Sequence, residues 1–407
     1  MLTEFMIIGA VMILSYGLYR LWTQYMEQRT KGFEDRYMAL YGKKDWDGSN
    51  MKLQLTYDPA HDEKVKEIFL SRCQASLDCE ETCTALYQEE PHFDGDELKF
   101  PLLDKVDLET LTDKRQGVRF EINEPGKIDV IWNHMQADGV RVWRGIRPYF
   151  DDNPPILTFK EPKVPVPVLP ELLALPKSFQ SLGFRSSLKP NKQQPLSYGF
   201  DKWKTEPIRQ IKDSMDASFN LVSTSMLIAE IFRRHPDTDE LTVGLTVAFT
   251  FLASKNQYGV AMVKVKRGTF QSVYDQVYKQ LKNPAKIWGS FSLQTLALSM
   301  CSDDFFLKLV DYFRTQIDVL ISNLPVGQKI PSVGDVPVEI SCYPQELSVN
   351  YYFLLLGTRE EIHISYTSKF EEKESFLDQE SLLQHIQHES VPVRQPLLAP
   401  ITSRLKF

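Results

Sequence analysis

Residues 129–143 read DVIWNHMQADGVRVW, and this stretch decides the fold. An apolar strand-like run, Asp129 to Trp132, leads through Asn133 straight into His134; Asp138 and Gly139 follow, giving H-x-x-x-D-G at a strand end. Histidine is the side chain best suited to accept a proton near neutral pH. Asp138, one turn later, is placed to fix the loop by pairing with a basic residue. Gly139 permits a backbone conformation closed to other residues. Spacing alone leaves a second reading open, a hydrogen-bonded histidine beside an ordinary Asp-Gly turn.

Outward from the motif, VRFEI (118–122) and KIDVIW (127–132) flank Asn123-Glu124-Pro125-Gly126, a turn-forming tetrapeptide, and together they predict a hairpin. Met51 to Thr56 alternates as a strand, and Asp62 to Cys73 has helical spacing. Residues 154–176 hold seven prolines among Val, Leu and Ile, the pattern of a stiff packed crossover or of a proline-rich ligand segment. Beyond it the sequence predicts helices at 218–235, 269–281, 303–317 and 375–387. Strands are predicted at 240–252, 259–265, 319–323, 347–356 and 361–367. Helices and strands mix without strict βαβ alternation, which predicts mixed sheets with helices packed on them.

The chain has 407 residues, 43% of them hydrophobic, which is ample for a large core. Its net charge of -7 excludes a global basic field for nucleic acid. Five cysteines exclude a disulfide scaffold and suit a reducing compartment. Cys73, Cys79 and Cys83 lack a partnering histidine nearby, His385 and His388 are flanked by Gln and Glu, and no metal site is expected. Asp94-Gly95-Asp96 lacks calcium-loop spacing, and neither a phosphate loop nor a G-x-S-x-G elbow occurs.

Phe5 to Tyr19 is uncharged, and Trp22 extends it. No Lys or Arg precedes it, whereas Arg20, Arg29, Lys31 and Arg36 follow. We therefore expect an uncleaved membrane anchor with the bulk of the chain facing the cytosol. A signal peptide and a helix buried in the fold are the alternatives; the missing basic n-region speaks against the first. The expected segments are an anchor at 1–22, a juxtamembrane linker at 23–50, a first half carrying the motif at 51–153, a crossover at 154–194 and a second half at 195–407.

His134-Met-Gln-Ala-Asp138-Gly139 resembles the H-x-x-x-D-G motif of the chloramphenicol acetyltransferase-like superfamily, and most of all its wax ester synthase/diacylglycerol acyltransferase branch. That branch has H-H-x-x-x-D-G, with Asn133 here in place of the first histidine. Pro195-Leu196-Ser197-Tyr198-Gly199 resembles its P-L-N-G segment, with Ser197 for Asn. ASFNLVSTSML (217–227) is similar to its helix starting T-x-N-D-V, keeping Asn220 but with Leu221 for Asp. ISNLPVG (321–327) is similar to its S-N-V-P-G segment.

The resemblance implies an α/β fold of two similar halves with mixed sheets and a tunnel between them. It implies an acyl-CoA-dependent acyltransferase without a covalent enzyme intermediate. His134 would be the general base toward a hydroxyl or amine acceptor, and the anchor adds lipids to the acceptors within reach. Ser197 is the candidate oxyanion donor, and Asn133, Asn220, Ser322 and Asn323 are candidate supporting residues. Acyl-CoA or another acyl thioester is the expected co-substrate, with no permanently bound cofactor, and the chain is expected to act as a monomer. A non-catalytic lipid- or protein-binding relative and a condensation-type amide-forming enzyme are the competing readings.

Overall fold

A computed structural model describes residues 15–24, 50–75, 92–94, 97–99, 118–122, 124–133, 142–143, 146–152, 183–190, 195–248, 258–282, 302–325, 331–344, 349–371 and 377–389. Two sheets organise them.

The first sheet has the order Glu339–Pro344 (β12), Asn50–Thr56 (β1), Lys127–Asn133 (β5) and Val118–Glu121 (β4), while β2 (His92–Asp94) and β3 (Glu97–Lys99) pair only with each other. Its hairpin pairs β4 (Val118–Glu121) with β5 (Lys127–Asn133), and β1 (Asn50–Thr56) lies antiparallel on the other side of β5. The turn needs its glycine: Gly126 has φ +76°, and a Cβ there would sit 2.7 Å from the Tyr57 carbonyl oxygen. The Asp62 carboxylate accepts from the Gly126 N–H and the Tyr57 hydroxyl, both at 2.9 Å, so the turn is tied to the start of α1 (Asp62–Ala75).

Strict alternation decides which way each strand faces. Leu53, Leu55, Ile128, Val130, Trp132 and Phe120 point into one core with Val65 and Phe69 of α1. Lys52, Gln54 and Asp129 occupy the other face, where Lys52 Nζ and Gln54 Nε2 hold the buried Asp129 carboxylate at 2.5 and 2.9 Å.

The remaining strand of this sheet comes from far along the chain. β12 (Glu339–Pro344) pairs antiparallel with β1 from Met51↔Pro344 to Thr56↔Glu339. The short hairpin β10 (Ser332–Val333) and β11 (Val336–Pro337) precedes it. Asp152 anchors that hairpin by accepting from Arg72, Ser332 and the N–H groups of Gly334 and Asp335.

The second sheet has the order β6-β14-β13-β9-β7-β8. Its strands are β6 (Ser197–Lys204), β7 (Glu240–Ala248), β8 (Tyr258–Lys266), β9 (Val319–Pro325), β13 (Tyr351–Gly357) and β14 (Glu361–Ser368). β9 runs parallel to both β7 and β13, and the other pairings are antiparallel. Four further helices belong to this half: α2 (Thr205–Met215), α3 (Phe219–Arg234), α4 (Phe270–Leu281) and α5 (Asp303–Thr315); α6 (Gln379–Glu389) follows β14.

Helix α3 starts where Ser218, in extended conformation, accepts from the Leu221 N–H, and its apolar side lays Val222, Met226, Leu227 and Ile231 on the sheet. Burying side chains of this size stabilises by roughly 1.5–3 kcal/mol each. Residues 183–190 run across this half, fixed by the buried Asp318 carboxylate, which accepts from Ser186, Ser187, Leu188 and Thr242.

Residues 15–24 are helical and expose Tyr16, Leu18, Tyr19 and Trp22. Among the described residues no helix is long and apolar enough to cross a membrane. The rest of the Phe5–Trp22 stretch lies outside the described residues, as does the proline-rich run 154–176.

Candidate active site

The two faces of the second sheet have different partners. Tyr351, Phe353 and Leu355 of β13 point toward the helices, with Ile362, Ile364 and Tyr366 of β14. Leu354 and Leu356 point the other way and join the core of the first half, against which Tyr352 and Leu324 also pack. A seam between the halves therefore runs along one face of β9, β13 and β14.

β12 closes one side of the seam. It belongs to the first sheet, yet its Cys342 N–H donates to Ser365 Oγ of β14 at 2.8 Å. Lys202 of β6 pairs with Glu339 of β12, and the Tyr198 and Tyr343 rings meet edge to face at 5.8 Å.

The seam carries polar groups among its apolar ones. Ser322 Oγ of β9 lies 3.2 Å from Thr246 Oγ1 of β7. Burial pushes the Tyr352 phenol well up, the adjacent Cys342 thiol adds to this, and nearby Ser322 opposes it. His363 is buried on β14 with its ring edge-on to Phe200 at 5.5 Å. Burial pushes its imidazole down, nearby Lys202 adds to this, and Glu361 opposes it. Trp132 Nε1 is a buried donor without an acceptor among the described residues, as are Trp143 Nε1 and Arg147 Nη1. Trp132 stands two residues before His134, whereas Trp143 and Arg147 follow the motif.

Of the sequence-derived candidates, His134, Asp138 and Gly139 lie outside the described residues. Their place in the chain is set by Asn133, the last residue of β5, which pairs with Asn50 at the start of β1. Met51 and Lys52 in turn pair with Pro344 and Tyr343, and Tyr343 meets Tyr198. The strand end that leads into the motif is thus two strands across and two residues along from Tyr343, the residue that meets Tyr198.

Ser197 stands differently from expectation. It pairs with Ser368, which pairs with Tyr351, so it shares the helix-side face with Asp201 and Trp203. The residues of that segment on the seam face are Tyr198 and Phe200. Gly199 has a packing reason: a Cβ there would lie 2.0 Å from the Tyr366 ring.

Asn220 is exposed in the first turn of α3. Asn323 pairs with Leu355 and so is also on the helix-side face. Ser322 alone of the described candidates lies on the seam. Sequence reasoning missed Tyr352, Thr246 and His363. Their alternation with core residues on β7, β13 and β14 was legible, but nothing in the sequence showed which face of those strands meets the other half.

Among the described residues no group of three or more His, Cys, Asp and Glu is arranged to hold a metal ion. No family model matches the chain, and no curated protein matches it. Solved structures do. A wax ester synthase/diacylglycerol acyltransferase from Marinobacter aquaeolei VT8 is 14% identical, with 83% of this chain and 94% of that one covered at a TM-score of 0.54. A mutant starter condensation domain of rhizomide synthetase in complex with C8-CoA and Leu-SNAC is 11% identical, with 90% and 95% covered at a TM-score of 0.56. Another mutant of that domain, in complex with C8-CoA, is 10% identical with the same coverage and a TM-score of 0.55. One antiparallel and one mixed sheet, joined by a strand that crosses from one half to the other, give this chain the fold seen in these wax ester synthase/diacylglycerol acyltransferase and condensation-domain structures over nearly their full length.

Proposed function

We propose that the chain is an acyltransferase that moves an acyl group from an acyl thioester, acyl-CoA foremost, to a hydroxyl or amine acceptor. The observation that carries this reading is the position of H-x-x-x-D-G: it follows directly on Asn133, the end of β5 in a fold shared with a wax ester synthase/diacylglycerol acyltransferase and with a condensation domain in complex with C8-CoA and Leu-SNAC.

In this reading the acceptor reaches the seam from one side and the thioester from the other. His134 takes the acceptor's proton as its oxygen or nitrogen attacks the thioester carbonyl carbon. The new C–O or C–N bond forms while the carbonyl π pair moves onto oxygen. Collapse of the tetrahedral intermediate breaks the C–S bond, and the departing thiolate takes the proton back from His134. No bond to the enzyme forms, and no metal or resident cofactor takes part in these steps. Asp138 holds the loop, and Gly139 gives it its path.

We place the large domain on the cytosolic side of a membrane. Support comes from the uncharged run Phe5–Tyr19, the basic residues that follow it, and the exposed aromatic side chains of residues 16–22. A lipid acceptor fits this placement.

A general base contributes about 10²–10⁴-fold to rate. His134→Ala is therefore expected to retain its circular dichroism spectrum and thermal midpoint while thiol release from acyl-CoA in the presence of acceptors falls by that factor. Equal rates above background in wild type and variant rule out His134 as the base, whereas no thiol release above background from the wild type favours the non-catalytic reading.

A further inference from the structure

β12 meets the second sheet through the Cys342 N–H on Ser365 Oγ, the Lys202–Glu339 ion pair and the Tyr198–Tyr343 ring contact. A histidine sits inside this junction. His363 alternates with Ile362 and Ile364, which face the helices, so its ring lies on the seam face, two residues before Ser365. The residue is 2% exposed, and its Nε2 makes no hydrogen bond among the described residues. A buried polar atom left without a partner costs free energy and calls for a reason.

Each neighbouring element supplies a charge or an apolar wall. On β6 the register partner of His363 is Lys202, which reaches across to Glu339 of β12. On β13 the register partner is Leu356, part of the first-half core. On β14 itself Glu361 Oε2 stands 3.4 Å from Nε2, off the direction a hydrogen bond needs. Phe200 closes on the ring edge to face at 5.5 Å. A proton on His363 would put a second cation beside Lys202 inside a junction shielded from water. Burial and Lys202 outweigh the pull of Glu361 and Glu339, and they hold the imidazole below the ordinary histidine value.

We infer that His363 makes the junction between the two halves sensitive to acid: a proton on its ring loosens β12 from β14 and opens that side of the seam. The closed junction keeps the ring neutral, whereas an open one gives it water. The closed state therefore binds fewer protons, and closing is favoured as pH rises. The loss starts near the ordinary histidine value of about 6.5 and grows as pH falls below it. The device is independent of the reaction that the seam serves.

Hydrogen exchange of the full-length protein reads the opening directly, at about pH 7.5 and about pH 5.5 and corrected for the intrinsic pH dependence of exchange. The Cys342 amide, which donates across the junction, is the reporter, with residues 339–344 and 361–368 around it. Over those two pH units a single histidine can raise the opening constant at most about tenfold, and about threefold to tenfold is expected. β7 and β8, at the other edge of the sheet, are expected to keep their protection. His363→Phe keeps a ring against Phe200 and cannot titrate; His363→Gln is polar and cannot titrate either. Both are expected to lose the pH dependence at the junction. His235 is also held down by burial, but it lies on the helix side, bonded to the Tyr351 hydroxyl at 2.8 Å with Asp318, Arg234 and Arg267 around it, and it is common to wild type and variants.

A rise confined to the junction in wild type and absent from a folded variant supports the inference. The same rise in wild type and variant overturns it, because another group then carries the proton. A wild type whose junction shows no rise overturns it, as does one whose rise spreads equally over β7 and β8. Those last two readings need no variant, so they stand should neither substitution fold.

Discussion

Asp318→Ala removes a carboxylate that fixes residues 183–190 to the second sheet. Asp318 is fully buried immediately before β9. Its Oδ1 accepts from Ser186 Oγ at 2.5 Å and from the N–H groups of Ser187 and Leu188 at 2.9 Å; its Oδ2 accepts from Thr242 N–H at 2.8 Å. Alanine leaves the Leu188 and Thr242 N–H groups buried and unpaired. A stranded buried donor costs about 1–3 kcal/mol, so these two alone amount to about 2–6 kcal/mol. The Ser186 hydroxyl still has the Asn350 amide and the Leu188 carbonyl near it and adds little.

Set against a typical stability of about 5–15 kcal/mol, the expected loss is a large fraction of the whole. Asp318→Asn keeps Oδ1 but turns an N–H toward the Thr242 N–H, so it is expected to lose about 1–3 kcal/mol. Urea unfolding followed by tryptophan fluorescence reads both variants, and the expected order is wild type, Asn, Ala. An alanine variant within about 1 kcal/mol of wild type refutes the reasoning, because it shows that the segment is not held by this carboxylate.

Gly199→Ala is expected to destabilise by about 1–3 kcal/mol, the usual cost of overpacking, since its Cβ would meet the buried Tyr366 ring at 2.0 Å; adding Tyr366→Leu should recover part of the loss in thermal melts. Asp152 supplies a pH prediction. Burial raises its pKa, but Arg72 and the Gly334 and Asp335 N–H groups outweigh this and hold the carboxyl down at about 2. Its contribution is therefore present above the unfolded carboxyl value of about 4 and is lost as pH falls from there through about 2. Asp152→Asn should be less stable than wild type at pH 7, with the gap closing between pH 4 and pH 2 in urea titrations; a gap independent of pH contradicts the assignment.

Local signals carried much of the fold. The hairpin around Gly126 was legible because its strands are adjacent in sequence and the turn demands a glycine. Helix α3 was legible from its Ser218 cap and apolar spacing. The strands β7, β8, β9, β13 and β14 were all expected, within a few residues at their ends, from runs of apolar residues. By contrast β12 went unseen: it sits among prolines, and its pairing with β1 is set by residues almost three hundred positions away. No local pattern reports such a contact, yet that strand joins the halves and forms one side of the seam.

Site reading had a similar limit. The PLSYG segment was legible and made Ser197 a candidate donor by position; register puts Tyr198, not Ser197, on the seam face. A one-residue step along a strand reverses the side chain, so matching a short motif does not establish the face it presents. Ser322 was named, and the structure adds the Thr246 hydroxyl beside it.

The central claim is direct acyl transfer with His134 as base. It is tested most directly by mixing the full-length protein with acyl-CoA labelled in the acyl chain and a panel of alcohols, amines and diacylglycerol, then quenching and analysing product and protein by mass spectrometry. The account predicts labelled ester or amide from wild type, no acyl group covalently held on the protein at any time point, and little or no product from His134→Ala. Equal product from wild type and His134→Ala, or an acylated protein that forms at the rate of product, would contradict it.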